Sequence, residues 1–116
     1  MSNSTDQLIS AARSGNSGAP NSLIDRHRPY LKLLARMHEN ERLRSKLDDS
    51  DLVQEVSTQV FRDFAKFVGA GEGEFASWLR TKMAGVAAQT LRHYTTQQRA
   101  IHLERNLNES FDGSSS

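Results

Sequence analysis

Apolar residues recur every three or four positions along most of this chain, and this spacing constrains its fold more than any other feature. Val53, Val56, Val60 and Phe64 follow the interval in one stretch. Such spacing is typical of the buried face of an amphipathic helix. No stretch shows the alternation of apolar and polar residues that indicates a half-buried strand. The sequence therefore predicts an all-α protein, a compact bundle of three to four helices.

Capping residues and glycines set the expected helix bounds. A short helix is predicted over 6–13, capped by Ser4 or Thr5, and a second helix over 22–38. The third is predicted over 51–68 with Ser50 as its N-cap, and the fourth over 74–98. A further piece over 100–107 either continues the fourth helix or turns away. Within the second helix, Pro29 either starts a fresh helix or kinks a continuous one, because it lacks a backbone donor.

Composition divides the chain into three parts. Residues 1–20 are rich in Ser, Asn and Gly, and are predicted to be a flexible segment with one short helix. Residues 21–107 are predicted to form the helical domain, in which 39–47 is a charged connector. Residues 108–116 end in Gly-Ser-Ser-Ser and are predicted to be a disordered tail or linker.

Several functional classes have no support in the sequence. No G-x-S-x-G elbow, phosphate-binding loop or calcium-loop spacing is present, so no catalytic residue, cofactor or metal site is expected. The chain has no cysteine, which fits a reducing cytoplasm. No apolar run approaches the roughly 18 residues of a membrane span. A non-enzymatic, cytoplasmic protein that does not enter a membrane is expected.

Charge alternates in blocks along the chain. Residues 21–47 hold seven Lys/Arg against three Asp/Glu, residues 48–74 hold two against seven, and residues 75–105 hold five against one. Such blocks suit two partners of different charge, or alternatively pair with one another inside the fold.

The head of the third predicted helix carries the strongest functional signal. With its apolar stripe turned inward, Asp51, Gln54, Glu55 and Thr58 fall on the outer side of the first two turns. Acidic and amide groups clustered there suit a partner that offers arginines. The alternative is a capped, solvated helix start with no partner.

The pattern Asp51-x-x-Gln54-Glu55, followed by Val60-Phe61-Arg62-Asp63-Phe64, resembles the polymerase-binding segment of bacterial sigma factors. The upstream stretch from Arg28 to Arg36 is similar to the extracytoplasmic-function subgroup abundant in planctomycetes. The resemblance covers residues 22–105 and implies the fold of sigma factor region 2. It also implies a domain that binds core RNA polymerase and then recognises and melts the promoter −10 element.

The resemblance assigns roles to individual residues. Docking on the β′ clamp coiled coil of core RNA polymerase would fall to Asp51, Leu52, Gln54 and Glu55. Contacts to promoter DNA, on the non-template strand of the −10 element, would fall to Gly71, Glu72, Arg80, Thr81, Lys82, Gly85, Gln89, Arg92, His93 and Arg99. In this family the loop before the fourth helix forms a pocket for a flipped-out base, and residues 69–74 occupy that place here. Phe75 and Trp78 are predicted to be core residues. An anti-sigma factor is a further partner implied by the family.

This sequence departs from the family pattern in two ways. Relatives usually carry Asn where Gly85 stands and Asp where Gln89 stands, which leaves the promoter sequence open. After Leu107 only nine residues follow, too few for the domain that reads the −35 element. An excised fragment is expected, and the alternative is a protein that has region 2 alone. Two rival functions remain: a sigma-like decoy or anti-sigma target without productive DNA contact, and an unrelated binder of duplex DNA.

Overall fold

The computed structural model describes residues 4–38 and 48–114, with side chains to residue 109. In these residues the chain forms helices α1 (Thr5–Arg13), α2 (Ala19–Met37), α3 (Asp49–Asp63) and α4 (Glu72–Ser114), with a turn of 3-10 helix over Phe64–Lys66 after α3. This described part contains no strand, and the predicted all-α bundle is confirmed. The predicted connector over 39–47 lies outside the described residues.

One hydrophobic core joins all four helices. Side chains that are fully buried come from α1 (Ile9), α2 (Leu23, Leu31), α3 (Val56, Val60) and α4 (Phe75, Leu79, Met83). Burying a side chain of this size contributes about 1.5–3 kcal/mol. The inward stripe predicted for α3 is present, although Phe64 at its end is only half-buried. Phe75 lies in the core as predicted.

The short helix predicted over 6–13 is present as α1, with Ser4 as its N-cap, but it packs into the bundle and is not part of a flexible segment. Leu8 and Ile9 are core residues. Arg26 of α2 donates to the Thr5 hydroxyl at 3.0 Å, and Arg13 donates to the Phe67 carbonyl at 3.0 Å. The apolar face of α1 holds only these two large residues. The polar composition of residues 1–20 therefore gave no indication that α1 contributes to the core.

Helix α2 is continuous through Pro29, so the fresh helix start considered from the sequence does not occur. The helix begins at Ala19, three residues earlier than predicted, with Pro20 in its first turn. Proline is tolerated there because the backbone N–H groups of a first turn have no intrahelical acceptor.

Helix α3 begins two residues earlier than predicted because Asp48, not Ser50, is its N-cap. The Asp48 carboxylate accepts from the Asp51 amide at 2.9 Å, and the Asp51 carboxylate accepts from the Asp48 amide at 3.4 Å. This reciprocal pair satisfies two backbone donors at the helix start. The helix ends at Asp63, where the predicted helix over 64–68 is replaced by the 3-10 turn and an extended segment.

Helix α4 is longer than predicted at both ends. It begins at Glu72, continues through the piece predicted over 100–107, and includes much of the segment predicted as a disordered tail. At 43 residues it is about 64 Å long, and every described side chain from Thr95 to Glu109 is exposed. Its second half therefore projects beyond the bundle. Within the described residues, no helix combines the length and the hydropathy that a membrane span needs.

Candidate functional site

The outer face of α3 presents polar side chains on a helix that the core holds in place. Asp51, Gln54, Glu55 and Thr58 are all exposed, as the sequence predicts. The Thr58 hydroxyl donates to the Gln54 carbonyl at 2.9 Å, and the Gln59 amide donates to the Glu55 carboxylate at 3.4 Å. The carboxylate of Asp51 is partly engaged in the capping pair. Gln54 and Glu55 lie next to this capping pair, and both are exposed to a partner on this face.

Leu52 corrects the predicted docking set. Its side chain is 1% exposed and belongs to the core, because it follows the same inward stripe as Val56 and Val60. A side chain in this position supports the fold of α3 and cannot reach a partner. The sequence pattern placed it beside the exposed residues, but one helical position turns a side chain by about 100°.

A groove of about 880 Å³ runs between α3 and α4. Gln54, Glu55 and Arg62 line it from α3, while Gln89 and His93 line it from α4. The remaining residues of its lining are Asp51, Gln59, Val86, Thr90, Tyr94 and Gln97. Residues predicted to bind two different partners, polymerase and DNA, thus share one cleft.

A second surface of α4 faces solvent away from this groove. Thr81, Gly85, Arg92 and Arg99 are all exposed and are separated by four, seven and seven residues. Because seven residues are nearly two helical turns, the four lie in one stripe. The surface of the stripe is open at Gly85, because a Cβ built there would meet no atom within 4 Å. None of the three residues Gly85, Arg92 and Arg99 lines the groove.

Two of the cations predicted to contact DNA bond to other side chains of this protein. The Lys82 ammonium lies 2.6 Å from the Asp63 carboxylate and 5.4 Å from the centre of the Trp78 ring. Its side chain is 20% exposed and that of Asp63 is 12% exposed, so the pair is largely enclosed. Arg80 donates to the Tyr30 hydroxyl of α2 at 2.8 Å, although it remains exposed. Lys82 thus links α3 to α4 through an ion pair, and its contact to DNA stays a prediction.

Asp63 is held as a carboxylate by its cationic neighbours. Hydrogen bonds from Lys82 and then Arg62 lower the pKa of Asp63 from its usual 3.8 to about 2. The Arg62 guanidinium lies 3.2 Å from the Asp63 carboxylate. The same contact raises the pKa of Arg62.

The predicted base-binding loop is shorter than expected, because Glu72 and Gly73 already belong to α4. Gly71 precedes the helix. The Glu72 carboxylate lies 3.5 Å from Nε2 of His27, a buried histidine whose Nδ1 bonds the Leu23 carbonyl at 2.8 Å. A carbonyl only accepts, so Nδ1 carries a proton. Glu72 thus faces α2. Of the two residues of this loop that were predicted to contact DNA, Gly71 and Glu72, only Gly71 still lies in the loop.

A shallow depression of about 570 Å³ lies beside this loop, on the side where Trp78 reaches the surface. Its lining includes Val68, Trp78 and Thr81, together with Lys66 and Glu74. Trp78 packs against the core but is only half-buried, and Val68 is 89% exposed. Trp78 therefore packs against the core, as predicted, and also contributes surface to this depression.

Several groove residues were missed from the sequence. Gln59, Thr90 and Gln97 carry no motif of their own, and their lining role depends on how α3 and α4 pack. A helical projection of α4 would have placed Thr90 and Gln97 beside His93, since they lie three and four residues from it.

No protein-family model matches this chain, and the searches of curated proteins and of solved structures found no match either.

Proposed function

We propose that this chain is a sigma factor domain that binds core RNA polymerase and captures the melted −10 element of promoter DNA. The protein works without catalysis, by binding the open form of the promoter better than the closed form. Because its partner polymerase is cytoplasmic, the proposal includes a cytoplasmic location.

The observation that carries the proposal is the exposed pair Gln54 and Glu55 on a capped helix. The pair belongs to the stretch that resembles the polymerase-binding segment of sigma factors. A carboxylate and an amide suit arginines of the β′ clamp coiled coil, through charge-assisted hydrogen bonds. Core packing behind them, by Leu52 and Val56, holds the helix in place and limits the ordering that binding would require.

The exposed stripe of α4 supports the DNA half of the proposal. Arg92 and Arg99 are free to contact phosphates, and such contacts carry affinity with little sequence information. Beside the stripe, the half-buried Trp78 and the exposed Val68 offer ring and apolar surface to an unstacked base. Lys66 and Glu74 contribute one charge of each sign to the same depression, so its lining offers a phosphate no net attraction.

Binding to an isolated β′ clamp coiled coil tests the polymerase half. We expect a Kd in the micromolar range or tighter for the wild-type domain, and at least tenfold weaker binding for the Gln54→Ala/Glu55→Ala double variant. Each charge-assisted hydrogen bond contributes about 1.5–3 kcal/mol, and tenfold corresponds to about 1.4 kcal/mol. The matched control is Gln98→Ala/Glu104→Ala, which removes the same two side-chain types from exposed positions on the projecting part of α4. Equal binding by both double variants would contradict the docking surface.

A sigma-like interaction module without productive DNA contact is the second candidate. The ion pair of Lys82 with Asp63 and the hydrogen bond from Arg80 to Tyr30 favour this second candidate, because these contacts leave fewer cations for phosphates. Such a module would bind the clamp or an anti-sigma factor and show no salt-sensitive binding to single-stranded DNA. Titrating single-stranded DNA at two salt concentrations distinguishes the two functions.

A further inference from the structure

The groove between α3 and α4 brings a predicted polymerase-binding surface and two predicted DNA-binding residues to one place. Gln54 and Glu55 line it from α3, and Gln89 and His93 line it from α4. A partner that fills the groove would contact both helices at once. The chemistry of the lining decides which partner that is.

The lining disfavours nucleic acid. Asp51 and Glu55 place two carboxylates in the groove, and a phosphate backbone would be repelled by both. The lining contains one arginine, Arg62, and its guanidinium already contacts Asp63 at 3.2 Å. Affinity for DNA comes mainly from cations that neutralise phosphates, and this groove has little to offer them.

The same lining suits a helix that carries arginines. The carboxylates accept charge-assisted hydrogen bonds, and the amides of Gln54, Gln59 and Gln89 can donate or accept. From Val86 to Gln97 the wall formed by α4 extends about 16 Å, which is roughly three helical turns. Residues spaced three or four apart on a partner helix would meet this wall repeatedly along that length.

We propose that Gln89 and His93 contact the polymerase clamp helix that docks on α3, and that they do not contact promoter DNA. This inference rests on the proposed function and deepens it. It divides α4 between two partners: its groove side faces polymerase, and the stripe of Thr81, Gly85, Arg92 and Arg99 faces the single strand. The clamp helix thereby becomes bound by two helices of this domain.

Two double variants of the full chain test this division. Gln89→Ala/His93→Ala removes the groove side chains of α4, and Arg92→Ala/Arg99→Ala removes the cations of its stripe. All four residues are exposed, so far-ultraviolet circular dichroism and the urea midpoint should stay at the wild-type values. Each variant is titrated with the isolated β′ clamp coiled coil and with a pool of single-stranded DNA of random sequence.

We expect the groove variant to bind the clamp at least fivefold more weakly and to bind DNA within twofold of wild type. The stripe variant should show the reverse. Clamp binding within twofold of wild type by the groove variant, or a loss of its DNA binding, would overturn the inference. If Gln54→Ala/Glu55→Ala still abolished clamp binding in that case, the proposed function would stand without it. No clamp binding by the folded wild-type chain would overturn both. Self-association that the groove variant abolishes would instead assign the groove to a second copy of this chain.

Discussion

Replacing Gly69 or Gly85 by alanine makes the same chemical change at two positions where the structure predicts opposite effects on the free energy of unfolding. Gly85 lies inside α4, is exposed, and has no atom within 4 Å of a built Cβ. Alanine there restricts the unfolded chain and favours the helix, so we expect a gain of about 0.5–1 kcal/mol. The added methyl group meets no steric resistance.

Gly69 differs in both backbone conformation and surroundings. Its φ is 145°, a region that residues with a Cβ rarely adopt. A built Cβ would lie 2.6 Å from the Glu74 carboxylate and 2.9 Å from the Glu74 Cβ. The carboxylate can swing away, but the Cβ is fixed to the first turn of α4. We therefore expect Gly69→Ala to lower the free energy of unfolding by about 1–3 kcal/mol.

Urea denaturation followed by circular dichroism measures both effects. With an m-value of about 2 kcal/mol/M, the midpoint should rise by about 0.25–0.5 M for Gly85→Ala and fall by about 0.5–1.5 M for Gly69→Ala. Adding Glu74→Ala to Gly69→Ala should recover only part of the loss, because the Cβ of residue 74 remains. Midpoints that move in the same direction for the two glycines would refute the reasoning.

Two further predictions concern α3. Asp48→Ala should lower the free energy of unfolding by about 0.5–2 kcal/mol because it removes the N-cap. Ser50→Ala should change it by less than about 0.5 kcal/mol. The urea midpoints of the two variants measure both effects, and a larger loss for Ser50→Ala would show that Ser50 is the cap, as predicted from the sequence. The pKa of Asp63 is lower in the folded chain, about 2, than its usual 3.8, so its pairing with Lys82 stabilises the fold at neutral pH and that stability is lost as pH falls from about 4 to about 2. Asp63→Asn should make the decline in unfolding free energy over this window shallower, and an unchanged decline would contradict the pairing.

The features that the sequence predicted correctly are those that depend on neighbours along the chain. The interval of three or four between apolar residues identified the buried faces of α2, α3 and α4. Exposure of Gln54 and Glu55 followed from the same interval, since they lie between buried positions. The burial of Leu52 was not predicted, because the docking set came from a family motif that placed Leu52 with its neighbour Asp51, whereas a helix turns consecutive residues in different directions.

Helix ends were less predictable because neighbouring residues offer competing caps. Asp48 and Ser50 can both accept from a backbone amide, and the reciprocal bond with Asp51 is what favours Asp48. The extension of α4 was missed for a different reason. Its second half has no buried face to impose a pattern, so a polar, unpacked helix looked like a tail.

Contacts between residues that lie far apart along the chain could not be predicted from the sequence. Lys82 and Asp63 are 19 positions apart, and nothing in either neighbourhood identifies the other as its partner. The groove has the same origin, because its two walls come from helices whose relative position is set by the core. Charge blocks of opposite sign did indicate that α3 and α4 could pair, and the Asp63–Lys82 contact is one such pairing.

We propose above all that this chain gives core RNA polymerase the ability to select single-stranded promoter sequence. The most direct measurement is to sequence the strands that a bacterial core polymerase retains from a random single-stranded DNA pool, with and without this protein. We predict that a short motif is enriched only when the protein is present, and that Gln54→Ala/Glu55→Ala abolishes the enrichment. The same retained sequences with and without the protein would contradict the account.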